Sequence, residues 1–267
     1  MPALSTKHPL LYKAAVAKGR LLRHARWART RLATHRQADP LAIRITSHQS
    51  TLMRKLGDVD MRLQRNKVTN LRLAADGING VLIRTGETLS LWKLIGNSTA
   101  KRGFLPGILL SNGKILEGVG GGLCQMANLV YWMALHSPLT VTERHRHSYD
   151  IFPDSGRTVP FGTGATLFYN YMDLSIKNET DQTFQVMVSL TDEHLKGEIR
   201  SEKEWPVSYR LLERAHRFSK DENGAVFRHN EIHRQTIDRT TGNTVSDDLL
   251  YKNNCPVLYE VDPSNIG

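Results

Sequence analysis

The sequence predicts an α+β protein: mainly antiparallel strands in the second half, a helical N-terminal region, and a cysteine at a helix N-terminus between them. Three observations carry this. Apolar residues recur at spacings of three and four between Leu11 and Leu32, a triple glycine at 120–122 leads into a helical pattern over 124–135, and aromatic and β-branched residues crowd into successive short runs over 165–190. Strands that follow one another, rather than alternating with helices, argue against a doubly wound sheet. Residues 1–66 are expected to form a basic helical N-terminal region and residues 67–267 an α+β domain.

Composition narrows the functional classes. The 267 residues are 40% hydrophobic and 23% charged, an ordinary globular balance. The net charge of +10 sits at one end: residues 1–38 hold nine Lys or Arg and no acid, which leaves the other 229 residues near neutrality. With no recognition motif in that neutral body, nucleic acid is not expected as a partner. Cys124 and Cys255 stand 131 residues apart with no CxxC spacing, excluding a disulfide scaffold or a paired zinc knuckle. No early apolar stretch is long enough for a signal peptide and no run approaches a membrane span, so the expected location is cytoplasmic.

The elements follow in order. In the first helix Leu11, Ala14, Ala15, Leu22, Ala25, Ala28 and Leu32 form the apolar stripe, with Lys13, Lys18, Arg20, Arg23, Arg26, Arg29 and Arg31 filling the other positions; Pro9 suits the first turn and Pro40 bounds the segment. Such a helix either docks on its own domain with a solvated basic face or touches anionic lipid at the inner membrane face through residues 1–38. Residues 47–66 and 68–76 are expected as helices, the latter stopped at Gly77. Strands are expected at 81–83, 88–92, 139–147, 165–170, 172–177, 183–190, 194–200, 206–213 and 256–261, and a helix at 124–135 ended by Ser137-Pro138.

The chemistry concentrates at Gly120-Gly121-Gly122-Leu123-Cys124-Gln125. Consecutive glycines permit positive φ and close backbone approach. A cysteine at a helix start faces unpaired N–H groups and the positive end of the helix dipole, both of which favour thiolate. Gln125 and the glycine N–H groups could serve a developing oxyanion, and Arg144 an anionic substrate. Period-two alternation puts Glu143, His145 and His147 on one face of the next strand, offering His147 or His145 as base and Asp173, Asp150 or Glu143 as the group that orients it. A buried structural cysteine and a metal set of Cys124, His145 and His147 are the competing readings; no cofactor is expected. His229 and His233, spaced i,i+4, read as exposed strand or turn, and Asn178-Glu179-Thr180 as a strand-ending turn.

Gly86-Glu87-Thr88-Leu89-Ser90, the GGGLCQ of 120–125, the ERHRHS of 143–148, Phe152-Pro153-Asp154 and the DLSIKNET of 173–180 resemble the VanW family. The resemblance covers nearly the whole chain, most firmly 68–190. It implies a bacterial protein linked to the cell wall, peptidoglycan and vancomycin resistance. It also implies, from exported multidomain members, an L,D-transpeptidase-like acyl transfer or peptidase chemistry. In that scheme Cys124 forms a thioester with a stem-peptide carbonyl and His147 or His145 acts as base. A non-catalytic accessory protein that binds a wall precursor or another anionic ligand is the alternative. Two departures stand out: Ala127-Asn128 where many members have Ser-Thr, and Gly164-Ala165-Thr166 where many have Asp-Ala-Thr, which removes a carboxylate.

Overall fold

The computed structural model describes residues 9–53, 60–111, 113–151, 153–154 and 159–266. The helices among them are α1 (Pro9–Ala28), α2 (Met61–Ile78), α3 (Leu91–Ile95) and α4 (Cys124–Leu135). The strands are β1 (Ile43–Thr51), β2 (Val81–Ile83), β3 (Thr88–Ser90), β4 (Pro106–Ser111), β5 (Lys114–Val119), β6 (Thr140–Glu143), β7 (Ser175–Lys177), β8 (Phe184–Leu190), β9 (His194–Ser201), β10 (Val207–Lys220), β11 (Val226–Asp238) and β12 (Thr244–Pro256). The α+β class is as the sequence predicts, with helices early and antiparallel strands late.

A four-stranded antiparallel sheet, ordered β1-β9-β8-β2, forms the floor of the core. Helix α4 lies on β9 and β1, and α2 on β8. Leu71, Ala74 and Ile78 of α2, Met126, Leu129 and Met133 of α4, and Val186 and Ile199 of the sheet are all buried in one cluster. A smaller sheet, β3-β7-β6, sits alongside, and residues 31–37 run between the two as a strap, exchanging main-chain hydrogen bonds with Thr88, Leu82 and Gly80. The hairpin β4–β5 carries the glycine run, and β10, β11 and β12 make a separate three-stranded meander.

Several local expectations are corrected. Residues 43–51, where a helix was expected to begin at 47, form β1 and pair with β9, because burial alternates along that stretch and sheet pairing outweighs weak helical spacing. Helix α2 starts at 61, capped by the Asp60 side chain on the Arg62 N–H, and continues through Gly77 to Ile78. A side chain at Gly77 would meet the Leu94 carbonyl at 2.6 Å, so this glycine serves packing and not termination. The strand expected over 139–147 ends at Glu143, and 165–170 is irregular, with one bridge from Phe168 to Met172. The expected strand at 206–213 runs on to Lys220, and β12 ends at Pro256, before most of the strand expected at 256–261.

Helix α1 docks on the domain, but not by the apolar stripe that its spacing suggests. Its inward line is Val16 and Arg23, buried, with Gly19 and Trp27 half-buried; Leu11, Ala14, Leu22, Ala25 and Ala28 face solvent, and Leu32 lies beyond the helix, bridged to Thr88. Polar anchoring selects this face. Arg23 makes a two-pronged contact with Glu143 at 2.5 Å, Trp27 Nε1 donates to Ser90 Oγ at 3.1 Å, and the Tyr171 ring fills the space that any side chain at Gly19 would take.

Candidate functional site

The glycine run is a seat between α2, the 96–105 loop and the β4–β5 hairpin. Gly120 and Gly122 hold φ values of +78° and +89°, where side chains are strained. At Gly121 a Cβ would come within 2.2 Å of the Gly107 carbonyl carbon, so the two strands of chain touch through glycines alone. The N–H groups of Gly120, Gly121 and Gly122 donate to the carbonyls of Leu105, Gly118 and Ile108, at 2.9–3.0 Å, and Asn70 Nδ2 donates to the Gly121 carbonyl. All three glycine N–H groups are thereby spent on main-chain oxygens.

Cys124 is the first residue of α4, half-buried. Desolvation pushes its thiol pKa up, against the N–H of Leu167 and its own N–H, which favour the thiolate. The 164–167 segment joins Cys124 to the post-β6 loop: Asn128 Oδ1 accepts the Ala165 N–H at 2.7 Å and the His145 carbonyl accepts the Thr166 N–H at 2.7 Å. Both family departures meet here, since Asn128 Oδ1 lies 3.3 Å from where a Cβ at Gly164 would sit. Gln125 does not face the sulfur; its Nε2 donates to Ser50 Oγ and the Thr51 carbonyl, tying α4 to β1.

The two histidines take different positions. His145 Nε2 lies 2.9 Å from Glu143 Oε1. His147 makes no hydrogen bond among the described residues, and burial pushes its pKa down, leaving the ring neutral at pH 7. Neither ring is among the hydrogen-bond partners of the Cys124 sulfur. Glu143 resists burial because Arg23, then His145, hold its carboxylate at about 2. Asp173 is fully buried: it accepts from Ser90 Oγ at 2.5 Å and from the Trp92 N–H at the start of α3, and burial pushes its pKa up to about 6. Asp150 is paired with Arg228 and Tyr259 in a separate cluster, where Asp154 also accepts from Arg228; Phe152 lies outside the described residues.

The other candidates resolve structurally. His229 and His233 sit on β11, about 13 Å apart at strand rise, with His229 on Ser219 and His233 between Glu231 and Asp247. Asn178 is buried and holds the turn after β7 through the carbonyls of Ile83 and Gln182. Among the described residues no three His, Cys, Asp or Glu are grouped to hold a metal.

Sequence reasoning missed a cleft of about 390 Å³ between the C-terminal half of α4, β6 and the β11–β12 face, lined by Tyr131, Leu135, Val141, Arg144, Arg234, Leu250 and Tyr251. The Arg144 guanidinium is sandwiched between the Tyr131 and Tyr251 rings, 4.6 Å from each centroid, and donates to the carbonyls of Gly162 and Gly164. Arg234 stacks on Tyr209 at 4.8 Å with its buried Nε lacking an acceptor, and the buried Tyr251 hydroxyl is set against that of Tyr131. Neither arginine has a carboxylate partner among the described residues. Tyr131 stands two helical turns from Cys124, about 10 Å along the axis. Only the alternation of β11 and β12 could have signalled the far wall, and sequence alone does not say which sheet those strands face.

Fold and site together define an α+β domain in which a glycine-seated helix presents one cysteine at its start and an arginine–tyrosine cleft towards its end. The chain belongs to the VanW family: the model described as VanW like protein matches residues 66–200. It is 35% identical over 205 residues to the vancomycin B-type resistance protein VanW of Enterococcus faecalis, spanning 77% of this chain and 74% of that protein. It is also 25% identical over 118 residues to the uncharacterized protein YoaR of Bacillus subtilis, 44% of this chain and 37% of that one. No solved structure matches. The family match ends within β9, so Arg234, Leu250 and Tyr251 lie beyond it.

Proposed function

We propose that this VanW-family chain is an accessory protein that binds a peptidoglycan-type precursor peptide, seating a carboxylate of that ligand between Arg144 and Arg234 in the cleft. The observation that carries this is two guanidinium groups lining one partly apolar cleft and paired with no carboxylate among the described residues, the cleft's own acid, Glu143, being held by Arg23. Carboxylates bind guanidinium groups through paired, charge-assisted hydrogen bonds, and the tyrosine rings and Leu250 offer apolar surface to the rest of the peptide. The glycine run supports a structural role, since its N–H groups are consumed within the fold. The test is calorimetric titration with N-acetyl-alanyl-alanine and its C-terminal amide. Binding of the acid that survives Cys124→Ser and falls about tenfold or more in Arg234→Gln supports the reading; equal binding of acid and amide overturns it.

A second reading, cysteine-dependent acyl transfer on the same class of peptide, is favoured by one observation: the Leu167 N–H is directed at the Cys124 sulfur at the first residue of α4. It requires the neutral His147 to approach the thiol when ligand enters. Turnover of a stem-peptide substrate that disappears in Cys124→Ala would establish it, and no turnover by the wild type would remove it.

A further inference from the structure

Helix α1 presents its unused side to solvent. At 3.6 residues per turn, Leu10, Ala14, Ala17, Leu21, Ala25 and Ala28 fall on the side opposite Val16, Gly19, Arg23 and Trp27. The outward leucines are well exposed: Leu10 79%, Leu21 70%, Leu22 59% and Leu11 54%. Lys13 flanks this apolar line on one side and Lys18 and Arg29 on the other, all exposed and none paired with a carboxylate among the described residues. The inner side is already satisfied by the domain, through Arg23 to Glu143 and Trp27 to Ser90, so no rearrangement is needed to offer the outer side.

We infer that the outer face of α1 is a docking surface for an anionic lipid bilayer. Leucines centred between basic flanks fit a helix lying in the membrane interface, with apolar side chains among the acyl chains and ammonium and guanidinium groups at the phosphates. Charge complementarity selects this occupant: a second copy of the helix would set basic flank against basic flank, whereas an anionic surface neutralises both at once. The helix would lie along the surface and not across it, since no helix among the described residues is long and apolar enough to span a membrane.

The experiment is flotation of the full chain with vesicles of phosphatidylglycerol or of phosphatidylcholine. Expected is recovery with phosphatidylglycerol that drops about tenfold or more with phosphatidylcholine, in high salt, or in the double variant Leu10→Ser/Leu21→Ser. These leucines are exposed, so the variant should melt as the wild type does, which separates lost docking from lost folding. Equal recovery on both vesicles, no recovery on either, or undiminished flotation of the double variant would overturn the inference. So would a wild-type dimer in solution that the double variant dissolves.

Discussion

Arg23 of α1 grips both carboxylate oxygens of Glu143 at the end of β6, 120 residues further along the chain, with N···O distances of 2.5 Å. Both side chains are nearly buried, at 5% and 12% exposure. This pair fastens the N-terminal helix to the loop that carries His145 and His147. Without Arg23 the Glu143 carboxylate keeps the exposed Arg26, at 2.8 Å, and His145, so Arg23→Met should cost about 1–3 kcal/mol, measured by denaturant unfolding. Arg23→Met/Glu143→Leu should recover part of that loss; a double variant no more stable than the single one would show that the pair is not what fastens the helix.

The glycine seat can be tested by separating steric from conformational cost. Gly121→Ala places a methyl against Gly107 backbone and should cost about 2 kcal/mol or more. Gly86→Ala, at φ +77° with open space around it, should cost only about 1 kcal/mol of left-handed strain. Equal losses in unfolding free energy would contradict the close approach.

Asp173 should make stability depend on pH in an unusual direction for a carboxylate. Its native pKa of about 6 lies above the unfolded value. Between pH 4 and 6 the native state therefore keeps a proton that the unfolded chain has released. This contribution is complete below about pH 4 and lost as pH rises through 6. The stability difference between wild type and Asp173→Asn should move in favour of the wild type by roughly 3 kcal/mol from pH 7 to pH 4. A difference flat with pH would mean that the native carboxyl titrates as an ordinary one.

The Cys124 thiol should be a slow nucleophile in the free protein. Desolvation raises its pKa, so in a Cys255→Ser background the iodoacetamide rate should still be climbing above pH 8.5, where a free cysteine is about half ionised. A midpoint near neutrality would favour the acyl-transfer reading over simple binding.

Much of the scaffold was legible in the sequence because it rests on short-range rules. The helix at 124–135 stands out through its glycine lead-in and Ser-Pro end, β8 through Phe184, Val186 and Val188 at alternate positions, and β9 more weakly through Leu195 and Ile199. The 43–51 strand was not legible, because its polar residues pair along an edge where β9 supplies the hydrogen bonds. The orientation of α1 was hidden for a related reason. Spacing marks an apolar stripe, but Arg23 and Trp27 find buried partners on β6 and β3 that lie far away in sequence, and those contacts turn the helix over.

By itself, the sequence determined that one cysteine would begin a helix on a glycine seat, within an α+β chain of the VanW pattern, since turn geometry and helix starts depend on neighbouring residues. Only the tertiary structure decided what surrounds that cysteine. It spent the glycine N–H groups on Leu105, β4 and β5, gave Gln125 to β1 and His145 to Glu143, and brought Arg144 and Arg234 to one cleft. Each of these depends on which distant donor or acceptor the packed chain delivers, and burial then requires every polar group to take the partner it is given.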